Sequence, residues 1–197
     1  MALFNRTSTA LVDDSRALDD IAGDYVLDPS HTRIGFSARH AMVTKVRGQF
    51  DEFEGTAHVD TQNPAASTIS VTIQAASVTT GNAQRDGHLK TPDFFDVENY
   101  PTLTFASTDI ERDGTDWNVT GDLTINATTK PVTVVFEETG TARDPFGNLR
   151  AGFEGSVAIN RGEWGLAFNA ALEAGGVLVS DKVTLEFDVS AIQTPAA

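Results

Sequence analysis

The chain has 197 residues, no cysteine, and 14 lysines and arginines against 28 aspartates and glutamates, for a formal net charge of −14. That length holds one core, and the negative field repels phosphate backbones and anionic headgroups, which sets nucleic acid aside as a partner. Without thiols there are no disulfides, thiolate metal sites or cysteine nucleophiles, and a hydrophobic fraction of 40% with 21% charged residues is that of a folded domain.

Residues 1–23 stand apart. They are acidic, with Asp13-Asp14 and Asp19-Asp20, and lack the basic start and A-x-A pattern of a secretory leader. They read as a tail, either solvated or forming one short helix through Leu11, Leu18 and Ile21. The expectation is a cytoplasmic protein. No apolar run approaches the about 20 residues of a membrane helix, so no transmembrane segment is predicted.

From residue 24 to 193 the pattern is that of a half-buried sheet. Ile34, Phe36 and Ala38 alternate with polar residues, as do Phe53, Gly55, Ala57 and Val59, then Ile69, Val71, Ile73 and Ala75. Asn82 to Val97 breaks the alternation with helix formers, including Ala83, Gln84, Arg85, Leu89 and Lys90, before Pro92. It reads as a short helical insertion. Alternation resumes at Leu103 and Phe105, then at Trp117, Val119, Gly121, Leu123 and Ile125. Asn126-Ala127-Thr128-Thr129-Lys130-Pro131 reads as a hairpin loop, followed by Val132, Val134 and Phe136, then Phe153, Val157 and Ile159, and finally Val183, Leu185, Phe187 and Val189. Asp113-Gly114 and Pro145-Phe146-Gly147 supply further turns. The count is about eight antiparallel strands.

Eight such strands form either a two-sheet sandwich or a closed barrel, and periodicity alone does not separate them. The strands mix bulky residues with Gly35, Ala38, Gly55, Ala57, Ala75, Gly121 and Gly155. Small inward residues leave room for a ligand in an eight-stranded barrel; they equally serve strand crossings and bulges.

Chemistry is sparse. His31 and His40 are nine residues apart, on opposite faces of any regular strand, and no H-x-H or H-E-x-x-H pattern occurs, so no metal site is predicted. His31, after Asp28-Pro29-Ser30, reads as a structural histidine at a strand entry, and His88 as an anchor for the helical insertion. No G-x-S-x-G elbow, phosphate loop or dinucleotide fingerprint is present. No catalytic residue and no cofactor is assigned.

Tyr25-Val26-Leu27-Asp28-Pro29-Ser30-His31-Thr32-Arg33-Ile34-Gly35-Phe36, Gly48-Gln49-Phe50, Phe53-Glu54-Gly55, Arg85-Asp86-Gly87-His88-Leu89, Asp93-Phe94-Phe95-Asp96, Tyr100-Pro101, Phe105-Ala106-Ser107-Thr108, Gly121-Asp122-Leu123-Thr124-Ile125 and Thr129-Lys130-Pro131-Val132 occur in the order found in the YceI family, which the chain resembles across residues 24–193. The resemblance implies a lipocalin-like antiparallel eight-stranded β-barrel. It implies a polyisoprenoid, or another long-chain amphiphile such as a quinone precursor, sequestered or transported in the interior. It also implies pairing through sheet edges as a homodimer. Where the family has Asn-Gly after Ile125, this chain has Asn126-Ala127, which predicts a different turn type.

Ligand contact is expected from Ile34, Phe36, Phe50, Phe53, Val71, Ile73, Leu103, Phe105, Leu123, Ile125, Val157 and Ile159, each of which fits plain core equally well. Phe94 and Phe95 point apart; Phe94 is taken as the cap on the pocket, with Trp164 closing a barrel end. Arg39 and Arg161 are candidates for a charge at the mouth. Two other readings stand beside the carrier. One is a solidly packed interaction or stress-response module without a ligand; the other is an enzyme using His40, Arg39 and a carboxylate.

Overall fold

A computed structural model of the protein describes residues 21–172 and 175–195. The reading of residues 1–20 as a tail or helix lies outside them. Eleven strands form in chain order: β1 (Gly23–Leu27), β2 (Arg33–His40), β3 (Thr44–Phe50), β4 (Phe53–Val59), β5 (Thr68–Gln74), β6 (Val78–Thr79), β7 (Thr102–Asp113), β8 (Asp116–Ile125), β9 (Thr128–Arg143), β10 (Leu149–Asn160) and β11 (Val179–Gln193). Among the described residues one α-helix, α1 (Ala83–Leu89), lies between β6 and β7. Its Asn82 side chain accepts a hydrogen bond from the Arg85 amide, a standard helix start.

The eleven strands make eight staves. Strands β1 and β2 both pair with β11, so they form one stave interrupted at Asp28-Pro29, where proline has no N–H for the ladder. Strands β3 and β4 form a second stave, paired with β2 and β1 in turn. Strands β5 and β6 form a third, bent by a 3-10 turn at Ala75–Ser77. From β7 to β11 each strand pairs with the next, and the β1–β11 pairing closes the ring. The result is a closed antiparallel eight-stranded β-barrel, and the sandwich alternative falls. Closure removes the edges that a sandwich would have to protect.

The β8–β9 connection has two residues, with Ile125 opposite Thr128. Asn126 takes φ 53° and Ala127 keeps a negative φ, as at the central positions of a type II′ turn. Only the first position then needs left-handed backbone, which asparagine tolerates and alanine does not. The Asn126 amide also donates to the Phe94 carbonyl at 2.8 Å, tying the turn to the segment after α1.

The interrupted first stave is stapled from outside. The Thr32 hydroxyl donates to the Ser190 carbonyl and accepts from the Ser190 amide, both at 3.0 Å. Asp28 takes His31 Nδ1 at 2.7 Å and the Arg150 guanidinium, and Arg150 also donates to Asp144 at 3.0 Å. The Arg150 contact, ahead of that from His31, holds the Asp28 carboxyl at about 2 against an ordinary 3.8; hydrogen bonds from Asn148, and then Arg150, hold Asp144 at about 2. His31 is thus the structural histidine expected at the strand entry.

Two packed clusters occupy the two ends. One holds Ile34, Phe50, Ile73, Phe95, Leu123, Ile125, Trp164 and Leu166 beneath α1; the other holds Ile21, Tyr25, Ile110, Trp117, Val119, Ala151 and Ala191. Ile21 is fully buried, so the packed domain reaches past the expected boundary at residue 24. Phe105 and Phe136 touch both clusters and bridge the space between them.

Candidate functional site

Between the two clusters lies a cavity of about 190 Å³, lined by carbon almost throughout. For scale, an engineered 150 Å³ cavity takes up benzene. Strand alternation builds its wall: Ile69, Val71 and Ile73 from β5, Leu103 and Phe105 from β7, Trp117, Val119, Leu123 and Ile125 from β8, Val132, Val134 and Phe136 from β9, and Leu185, Phe187, Val189 and Ala191 from β11. Val71, Phe105, Phe136, Leu185 and Phe187 face inward yet keep accessible surface, since nothing on the axis covers them.

The inner glycines shape this space indirectly. A Cβ on Gly48 would meet the Phe36 ring at 2.4 Å, on Gly121 the Phe105 ring at 2.4 Å, on Gly155 the Phe136 ring at 2.7 Å, and on Gly55 the Leu27 side chain at 2.7 Å. Each glycine accepts a large neighbour against the wall, and the rings so held are kept off the barrel axis. The glycines themselves contribute no empty volume, which revises the reading of small residues as room. A Cβ on Gly35 would point outward under the Arg33 guanidinium while Gly35 itself and Ala57 line the cavity, so those two positions do border the space, and Ala75 is packed in core.

Of the residues expected to contact ligand, Ile34, Phe50, Val71, Ile73, Leu103, Phe105, Leu123 and Ile125 line the cavity. Phe36, Phe53, Val157 and Ile159 face inward but pack against the cluster beneath α1, away from the cavity wall. Trp164 closes that end; its Nε1 donates to the Leu123 carbonyl at 3.0 Å. The phenylalanine pair is reversed from expectation. Phe95 points into the barrel end, 5.5 Å from Phe50 between ring centres. Phe94 instead stacks outside with His88 and Phe168, at 5.2 and 5.3 Å. His88 anchors this end, its Nε2 lying 2.8 Å from Asp93.

Sequence reasoning missed the opposite end. Trp117 lies there, its Nε1 donating to the buried Glu138 carboxylate at 3.3 Å, and Arg112 reaches the same carboxylate at 3.6 Å while lying 4.8 Å from the indole ring. Glu138 stands two residues after Phe136 and keeps the inward phase of Val132, Val134 and Phe136; the β9 bulge opposite Gly152/Phe153 comes only after it, so plain alternation was the signal that could have found it. The β11 wall was legible as a strand, but its alternation did not set it apart as lining. Arg161 is buried, with its guanidinium donating to the Leu166, Val179 and Ser180 carbonyls and to Asp181. It holds the Arg161–Val179 connection. Burial moves its pKa below the ordinary arginine value. Arg39 stays exposed and donates to the Val43 carbonyl at 3.1 Å. Among the described residues no three His, Asp or Glu side chains gather as a metal cluster, and no helix is long and apolar enough to cross a membrane.

A closed up-and-down barrel with an apolar lumen and a helical plug is a lipocalin-like binding fold. The YceI-like domain model matches residues 25–191, and the chain belongs to that family. Protein YceI of Escherichia coli is 39% identical over 175 residues, covering 88% of each chain. Among solved structures, Burkholderia cenocepacia BcnA superposes with a TM-score of 0.73 at 24% identity, covering 83% of this chain and 98% of that one. A polyisoprenoid binding domain from Saccharophagus degradans, implicated in plant cell wall breakdown, superposes with a TM-score of 0.64 at 14% identity, covering 86% of this chain and 98% of that one.

Proposed function

We propose that this chain sequesters or carries a long-chain isoprenoid or similar amphiphilic lipid inside the barrel, without chemistry of its own. The observation that carries the reading is the carbon-lined cavity between two packed ends. An apolar chain entering it gains about 0.8 kcal/mol per CH₂ removed from water, before the cost of ordering it. The name of the Saccharophagus degradans domain points the same way, and an unfilled interior counts against the solidly packed alternative. A cytoplasmic setting and a homodimer belong to the same proposal.

Native mass spectrometry of the purified full chain, followed by solvent extraction, tests it. The expected result is a one-to-one adduct whose extract contains a prenyl or other long-chain lipid. A bare mass that stays unchanged after incubation with polyprenyl and fatty amphiphiles overturns the reading.

A further inference from the structure

We infer that the β2–β3 hairpin docks the protein onto a bilayer surface containing anionic lipid. The inference rests on the hairpin alone and stands apart from what fills the cavity. In a chain of net charge −14, residues 33–50 carry Arg33, Arg39, Lys45 and Arg47 and no acidic residue. Arg39 lies directly opposite Lys45 in the ladder, and Arg47 lies two residues along on the same face. Like charges set opposite each other destabilise a strand pair. Among the described residues neither Arg39, Lys45 nor Arg47 makes an ion pair. The neighbouring acids are bonded mainly elsewhere: Glu186 to Ser37 and Arg33, with Lys45 adding only a through-space attraction, Asp181 to Arg161, and Asp86 to Thr80.

The tip itself is apolar and held in an uncommon conformation. Met42 is 60% exposed and Val43 73% exposed. Ala41 and Met42 take φ 49° and 61°, consecutive left-handed positions that favour asparagine and glycine. The turn is fixed by the Val43 amide on the His40 carbonyl at 3.1 Å and by the Ala41 amide on the Leu178 carbonyl at 2.8 Å. Bare apolar side chains at a strained tip, above a face of unpaired cations, each cost something in water. An anionic bilayer surface answers the exposed apolar tip and the clustered cations together: the tip, held out by its left-handed backbone, enters the headgroup boundary while the cations meet phosphate. The repulsion from the rest of the chain is screened beyond about 10 Å at about 0.1 M salt, so the contacting face decides the sign.

The test is flotation of solvent-stripped protein with vesicles of phosphatidylcholine containing phosphatidylglycerol, against pure phosphatidylcholine. Binding to the anionic vesicles only, weakening in about 1 M salt, is the expected result. Lys45→Glu with Arg47→Glu should weaken it by at least roughly fivefold per cation removed, and Met42→Asp with Val43→Asp should abolish it. Because the chain has no cysteine, Val43→Cys carrying an environment-sensitive fluorophore reports insertion. Phe146→Cys at the opposite end, where Phe146 is 89% exposed, is the control. Emission should shift at 43 and not at 146. No flotation at low salt, flotation that survives both paired substitutions, or a response at 146 in place of 43 overturns the inference. The pairs lie on exposed positions, and unchanged thermal melts confirm folding. Since stripped protein is used, failure here leaves the cavity reading intact, and failure of lipid extraction leaves this one intact.

Discussion

Two substitutions that each add carbon inside the barrel should change stability in opposite directions. Val71 lines the cavity and sits across the ladder from Gly55 on one side and Phe105 on the other. At about 24 cal/mol per Å³, an empty void of 190 Å³ costs about 4.6 kcal/mol relative to a filled interior. Val71→Phe adds four carbons, roughly a quarter of that volume, and so stabilises the empty protein by about 1 kcal/mol. For a chain of this size that raises Tm by about 2–4 °C. Gly121→Ala adds one carbon, but its Cβ would meet the Phe105 ring at 2.4 Å and the Ala106 carbonyl oxygen at 2.5 Å. The ring can swing onto the axis; the backbone oxygen cannot move so cheaply. That variant should lose about 1–3 kcal/mol, a Tm fall of several degrees. Scanning calorimetry of solvent-stripped protein reads both, and lipid uptake should fall in both because each removes cavity volume. A Tm fall for Val71→Phe comparable to that for Gly121→Ala would mean a packed interior and refute the reasoning.

Other perturbations test the ends and the seam. Glu138→Ala leaves Arg112 and the Trp117 indole without their buried acceptor and should cost about 3 kcal/mol in urea melts, whereas Glu138→Gln, which keeps an acceptor, should cost less than half of that. Asp28 and Asp144 have folded pKa values of about 2, below the ordinary 3.8; their contribution is therefore present above about pH 4 and is lost as pH falls toward 2. Acid titration of the melting temperature should show that loss in the natural chain and a flatter profile in Arg150→Met. Phe95→Ala empties the plug beneath α1 and should cost about 3–5 kcal/mol while speeding release of a bound fluorescent fatty probe. Phe94→Ala, outside the barrel end, should leave that release rate close to the natural one.

Alternation made the strands legible, because a wall with one face inside and one face in water has a period of two wherever it is regular. The inward phase of Ile34, Val71, Leu103, Leu123 and their partners follows from it. What alternation does not carry is height along the axis. Val157 and Ile159 share the pattern of Val71 yet sit against a packed end, because the position of the plug is set by α1, far away in sequence, and by the inward fold of the Arg161–Trp164 turn, which alternation does not announce. Glu138 was hidden differently: it keeps the inward phase of Val132, Val134 and Phe136, but a carboxylate there reads as solvated until Trp117 of β8 and Arg112 of β7 are seen to bury it. Phe94 and Phe95 were separable only by the chain path after α1. There Asp96 at φ 46° and the bond from Phe95 N–H to the Leu89 carbonyl at 3.0 Å turn Phe95 inward.

An eight-stranded ring of this kind leaves a lumen that side chains either fill or leave open, so a cavity has to be stabilised from elsewhere. Here the compensating contacts lie at the rims. The Trp117–Glu138–Arg112 group fixes one end, Trp164 and the buried Arg161 fix the other, and Asp28–Arg150–Asp144 staples the interrupted stave from outside. With the rims held by directional bonds, the middle needs no tight packing, and Gly121 and Gly155 let Phe105 and Phe136 rest on the wall. Directional bonds at the ends and non-directional surface in the middle suit a guest of variable length. Apolar burial scales with area rather than with fit, so the same lumen gains free energy from each carbon it covers.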